Sequence, residues 1–170
     1  MQHAAADEHP AGWAEARLLR ECVVERTRGS GPGGQRRNKV ATGVRVRHEP
    51  TGLVAEAGER REPEANRRMA VFRLRVLLAL EVRVKRVGPT ALWRSRCSGG
   101  KVSISSGHAD FPAVLAEILD VLAMKGWQLR EASEDWGGTA SQWVKVLKAE
   151  PRAFERLNAE RAVVGLGRLR

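Results

Sequence analysis

The chain has 170 residues, with 30 Lys and Arg against 20 Asp and Glu, a net charge of +10 and an isoelectric point near 10.9. That length builds one ordinary domain or two small ones around a real core, and the surplus charge favours a polyanionic partner. No run approaches the roughly 20 uninterrupted apolar residues of a membrane span, and the acidic N-terminus lacks the layout of a signal peptide. Cys22 and Cys97 are too few and too far apart for a disulfide framework or a metal site, so the thiols are expected reduced, as in the cytoplasm. With four His and no Cys/His cluster, neither a metal nor another cofactor is expected.

Residues 1–16 read as a disordered lead, with a short helix possible over Glu15 to Arg20. Cys22 to Arg26 reads as a strand entering a glycine-rich loop. Beyond the loop, Val44 and Val46 alternate with Arg45 and Arg47, the period of two of a half-buried strand. Pro50-Thr51-Gly52 is a turn and Leu53-Val54-Ala55 the returning strand. This hairpin should have one apolar and one basic face. Pro63 suits the first turn of a helix, and Met69, Phe72, Val76 and Leu80 recur at helical spacing. That helix should end before Gly88-Pro89 and lay its stripe on the sheet. Residues 88–110 read as irregular, apart from a short strand candidate at Val102-Ser103-Ile104. Asp110 can cap a further helix with an apolar face of Val114, Leu115, Ile118, Leu119 and Leu122, stopped by Gly126. Two more helices follow, around Ser141 to Lys148 and Arg152 to Val164. The expected fold class is α+β, a small antiparallel or mixed sheet crossed by one long helix, followed by a helical module. The expected divisions are 1–16, 17–106 and 107–170.

The charge is uneven. Residues 17–101 hold 21 cations and 8 acids, whereas residues 126–170 hold 8 and 6. The loop Gly29-Ser-Gly-Pro-Gly-Gly-Gln-Arg-Arg-Asn-Lys39 lies in the basic half. It packs four glycines and a proline into six positions and then three cations into four. Such a loop presents backbone rather than side chains, and the cations suit an anionic surface. Neither Gly-x-Gly-x-x-Gly nor a P-loop fits it. The loop contains no His or carboxylate, so it offers no general base of its own.

The tip Gly33-Gly34-Gln35, followed by Asn38-Lys39-Val40-Ala41-Thr42, His48-Glu49-Pro50-Thr51-Gly52 and Asn66-Arg67, resembles the catalytic domain of class I peptide chain release factors over roughly residues 22–82. The resemblance implies that Gly33, Gly34 and Gln35 hydrolyse the ester of peptidyl-tRNA within the large ribosomal subunit. The main-chain N–H of Gln35 would stabilise the developing oxyanion. Arg36, Arg37, Lys39, Arg67 and Arg68 are candidate contacts to ribosomal RNA. Ser30, Gly31, Pro32, Asn38 and Thr42 are candidate loop supports, and His48 reads as structural. Two departures stand out: Arg61 is followed by Glu62-Pro63 where many members have Ser-Gln, and Arg36-Arg37 occupies a place often small or apolar.

About 20 residues precede the first strand, and a compact chain of this length has a radius of gyration of roughly 15 Å. A codon-reading span is therefore not expected, and the chain resembles the short members that rescue stalled ribosomes. The expected partners are large-subunit rRNA and peptidyl-tRNA, with no membrane and a monomeric state. The other reading is a non-catalytic, RNA-binding rescue or quality-control factor. Hydrolysis of free peptidyl-tRNA is disfavoured by the missing base. The long basic tail of many rescue proteins is absent. Trp127, Trp136 and Trp143 read as core anchors. The Gly137-Gly138 turn before Thr139 to Lys148 faintly resembles a helix-turn-helix, against the plainer alternative of three packed helices.

Overall fold

The structure is a computed structural model that describes residues 8–27 and 42–170. It has the expected α+β character. Compactness divides the chain into two units, Trp13–Leu78 and a second made of Ala79–Arg170 with the chain up to Gly12.

The first unit begins with α1 (Glu15–Arg20), whose Leu18 is fully buried. An antiparallel sheet follows in the order β1 (Cys22–Thr27), β2 (Gly43–His48), β3 (Val54–Ala57). Val44, Val46, Ala55 and Ala57 are buried, while Arg45, Arg47 and Glu56 on the alternate positions are exposed. This is the inward–outward alternation that the sequence predicts. The outer face is not purely basic, however. Arg45 lies opposite both Glu25 and Glu56 in the register and donates to Glu56 Oε1 at 2.6 Å. Arg47 lies 3.6 Å from Glu49. Carboxylates from the neighbouring strand and the turn neutralise what β2 alone suggests.

The long helix α2 (Pro63–Glu81) opens on its proline as expected but stops six residues before Val87. Its buried stripe also differs from expectation. Asn66, Ala70, Leu74 and Leu78 are fully buried, at i, i+4 spacing, whereas Met69 is 36% exposed and Phe72 half-buried. Val76 and Leu80 are buried as expected, but in the first turns a buried asparagine and a small alanine carry the inward face, which conceals it there from a search for large apolar residues. Arg73 ties the helix to the sheet through Glu56 O at 2.6 Å and also pairs with Glu59.

The second unit is built around α4 (Phe111–Met124), every residue of which from Phe111 to Leu122 is buried except half-buried Ala113. Asp110 precedes it but makes no side-chain cap, because its carboxylate is taken by Arg96 at 2.6 Å. At the far end Gly126 (φ 57°) and Trp127 (φ 62°) are both left-handed, and the Trp127 N–H reaches Leu122 O at 2.7 Å. The left-handed form costs a β-carbon residue about 1–2 kcal/mol, here offset by burial of the indole. Residues 88–110 are more regular than expected: α3 (Ala91–Arg96) is capped by Thr90, and β4 (Cys97–Ser98) pairs with β5 (Lys101–Val102) across Gly99-Gly100. Three helices complete the unit, α5 (Leu129–Asp135), α6 (Ala140–Lys148) and α7 (Pro151–Val163). The first of these was not placed by periodicity.

Two carboxylates on α4 organise the irregular chain around it. Asp120 accepts from Val84 N at 3.0 Å and from Arg86 Nε at 2.9 Å, and lies 3.4 Å from Arg83. Burial pushes its carboxyl up, opposed by the Val84 N–H and the two guanidiniums. Glu117 accepts from Thr90 N and Oγ1 at 3.0 and 2.6 Å and from Trp136 Nε1 at 2.8 Å. These contacts explain why α2 ends early. Arg83 turns back to the Ala79 and Leu80 carbonyls, and Asp120 takes the amide that would otherwise continue the helix. Residues 9–12, expected to belong to a disordered lead, instead carry a 3-10 turn at Pro10–Gly12 and a buried His9.

Candidate functional site

The glycine-rich loop joins β1 to β2. The residues expected to do chemistry or touch RNA there, Gly33, Gly34, Gln35, Arg36, Arg37 and Lys39, lie outside the described residues, as do the supports Ser30, Gly31, Pro32 and Asn38. What the structure describes is the neck from which the loop springs.

Thr27 and Gly43 face each other as the last register pair. A β-carbon at residue 43 would collide with the Thr27 hydroxyl and lie 2.9 Å from Thr27 O. Only glycine lets the two strands close at this point. Next to it, the Thr42 carbonyl accepts from Asn66 Nδ2 at 2.7 Å. The same amide nitrogen donates to Arg60 O at 2.8 Å, and Asn66 Oδ1 accepts from Arg60 N at 2.9 Å. One fully buried side chain in the first turns of α2 thus fixes the returning arm of the loop and the turn before the helix. Both amide hydrogens and the carbonyl are satisfied, as a buried amide requires. At Thr42 it is the backbone carbonyl that Asn66 holds.

The two helix cations differ. Arg67 is committed to carboxylates, 3.1 Å from Glu15 and 3.1 Å from Glu64. Arg68 is exposed and has no ion pair among the described residues.

Two titratable groups near the sheet could be mistaken for catalysts. His48 is 2% exposed, its Nδ1 lies 2.8 Å from Thr51 Oγ1, and its Nε2 lies 3.5 Å from Glu21, too far for a strong hydrogen bond. It braces the Pro50-Thr51-Gly52 turn. Cys22 is pushed up to about 11, first by burial and then by the charges of Glu21 and Glu49, so its thiol is not ionised at neutral pH. A thiol in that state is a poor nucleophile. The neck thus supplies rigidity rather than a base. Gly43 and Asn66 hold the neck: the sequence reading passed over Gly43 and named Asn66 in the resemblance without giving it a role. A glycine opening a valine-rich strand and an asparagine on the apolar spacing of a helix were the available signals.

Comparison with known proteins matches residues 19–103, half of the chain, to the family described as RF-1 domain. The matched segment takes in the neck, α2, α3 and the β4–β5 hairpin, and stops short of α4. An uncharacterized mitochondrial peptide chain release factor-like protein of Saccharomyces cerevisiae is 52% identical over 46 residues, 27% of this chain and 30% of that protein. Peptide chain release factor 1 of Xylella fastidiosa is 34% identical over 84 residues, 49% of this chain and 22% of that protein. A chloroplastic peptide chain release factor of Arabidopsis thaliana is 46% identical over 52 residues, 31% and 11% of the two chains. The chain spans less than a third of the length of these curated relatives. No helix among the described residues is long and apolar enough to cross a membrane.

Proposed function

From the premise that this chain belongs to the class I release factor catalytic-domain family, we propose that it hydrolyses the peptidyl-tRNA ester on stalled ribosomes without reading a codon. The observation that carries the reading is the Gly33-Gly34-Gln35 tip on a loop whose neck is closed by Gly43 and held by Asn66. Attack of water on the ester carbonyl builds negative charge on its oxygen and then on the leaving ribose oxygen. The Gln35 N–H stabilises that charge without reorganising, and the two glycines let the main chain come close. The Gln35 side chain shapes the space that admits water. A fixed neck supports this role because positioning within a fraction of an ångström governs such a step. With no base in the loop, the proton is handled by RNA and ordered water, which ties the activity to the ribosome.

Arg36, Arg37, Lys39 and Arg68 meet rRNA phosphates, and Arg67 helps mainly by orienting the start of α2. Functionally, residues 17–106 supply hydrolysis and residues 107–170 select the ribosome. The protein acts as a monomer in the cytoplasm, although two relatives carry organellar names. The test is peptide release from ribosomes stalled with and without messenger in the downstream channel. Release that requires a stop codon overturns codon independence. Tight ribosome binding with no release at any protein concentration supports the non-catalytic rescue factor instead.

A further inference from the structure

We infer that the second unit carries its own RNA-duplex-binding face, formed by the β4–β5 hairpin with α3 on one side and helix α6 on the other. The two segments involved are residues 90–109 and 136–149. Neither contains an Asp or Glu, and together they hold five cations, Arg94, Arg96, Lys101, Lys145 and Lys148. The acids of the second unit all fall outside both segments.

The fold joins these segments. Gly100 and Gly138 form a β-bridge, and Cys97 Sγ donates to Gly137 O at 3.4 Å. Strand β5 packs on α6. Beneath them Trp93 Nε1 donates to Trp136 O at 2.8 Å, and the Trp93 and Trp143 rings meet edge to face at 5.6 Å. A β-carbon at Gly100, already left-handed at φ 77°, would come within 3.1 Å of Thr139 Cγ2. The hairpin tip therefore sits against the N-terminal end of α6 because residue 100 is glycine.

What this places outward is cationic. Ser141, Lys145 and Lys148 are exposed at i, i+4, i+7 spacing along α6, while Trp143, Val146 and Leu147 are buried on its other side. Arg94, Lys101 and Lys145 have no ion-pair partner among the described residues. Arg96 is held by Asp110. Exposed Arg130, by contrast, is paired with Glu134, and Lys125 with Glu131 and Asp135. Uncompensated cations with exposed serines and a glycine tip suit phosphate and hydroxyl contacts. A single strand would instead be gripped by stacking on aromatic side chains. Trp93, Trp136 and Trp143, the aromatics of the two segments, are all buried, which points to the backbone of a duplex, read by shape. The choice of RNA over DNA rests on the ribosomal reading above; the face itself does not.

The test uses the full chain and a mixed-sequence RNA duplex of about 20 base pairs, longer than the roughly 16 a duplex-binding domain spans. Affinity is followed by fluorescence anisotropy over a salt series. Lys101→Ala with Lys145→Ala should weaken binding roughly tenfold at moderate salt and reduce the log–log salt slope by about 2, one per phosphate lost. Lys125→Ala with Arg130→Ala, which removes as much charge from cations already held by carboxylates, should change affinity by less than about twofold, because a cation paired within the protein displaces no counterion from a phosphate. Both are surface changes, checked for folding by circular dichroism. Equal effects of the two pairs overturn the proposal, since only net charge would then matter. Tighter binding to the single strand overturns the duplex assignment, and tighter binding to the matching DNA duplex overturns the choice of RNA. Failure here leaves release by the Gln35 loop untouched, and loss of release in a Gln35 variant leaves this binding untouched.

Discussion

The two units solve the same problem with different chemistry. Each must hold irregular chain against a regular element, and each does so through buried polar side chains. In the first unit it is a neutral amide, Asn66, that gathers the Thr42 carbonyl and both backbone groups of Arg60. In the second it is two carboxylates, Asp120 and Glu117, that gather residues 84–90 and Trp136. The difference matters because the buried Asp120 carboxylate is matched by the Arg83 and Arg86 guanidiniums, whereas a satisfied amide needs no counter-charge. The neck of the loop is thus anchored by a neutral side chain, while the helical unit uses charged ones. Breaking each anchor should show this contrast.

The largest effect is expected for Asp120→Ala, which removes the buried carboxylate that accepts from Val84 N and Arg86 Nε. Loss of one partner of a buried pair costs about 3–5 kcal/mol, read by urea denaturation. A loss below about 1 kcal/mol would mean that the cluster is solvated and not an anchor.

A comparable effect is reached without mutation. His9 accepts from Ala11 N at Nδ1 (3.0 Å) and bonds Val82 O through Nε2 (3.1 Å), which fixes the neutral ring. Burial lowers its pKa from 6.5 to about 4. Between those values the unfolded chain binds the extra proton, so stability is full above pH 6.5 and falls as pH drops toward 4. The shift corresponds to about 3 kcal/mol. Unfolding of the parent and of His9→Gln across this window should diverge in slope, and parallel profiles would contradict a buried neutral His9.

Asn66→Ala is expected to be milder for stability, about 1–3 kcal/mol for the unsatisfied backbone groups it leaves. Its effect on release should exceed what that loss of folded protein explains, because the returning arm of the loop is freed. Release that tracks the folded fraction alone would reduce Asn66 to a fold residue.

Much of this architecture was legible in the sequence. Alternating Val and Arg gave the strand β2, Pro63 gave the start of α2, and the dense apolar run after Asp110 gave α4. What was hidden depends on distant contacts. The end of α2 is set by Asp120, 36 residues from Val84, and no local pattern around Val82 to Val87 announces it. The inward stripe of α2 was legible at Val76 and Leu80, which are buried, but not in its first turns, where the buried position is Asn66, a polar residue that burial accepts only with Thr42 and Arg60 as partners. Helix α3 had a signal, Thr90 as N-cap, masked by the Gly88-Pro89 pair before it. The tip of the loop lies outside the described residues and rests on its resemblance to release factors and its composition, whereas the neck was not legible in the sequence, since Gly43 matters only once Thr27 is known to face it.

Whether the main chain at Gln35 carries the hydrolysis is decided by single-turnover peptide release with Gln35→Pro and Gln35→Ala. Proline removes the N–H, and alanine keeps it. Release should be abolished in the first and only reduced in the second, with ribosome binding retained in both. Equal and complete loss in both variants would contradict the claim and assign the chemistry to the glutamine side chain.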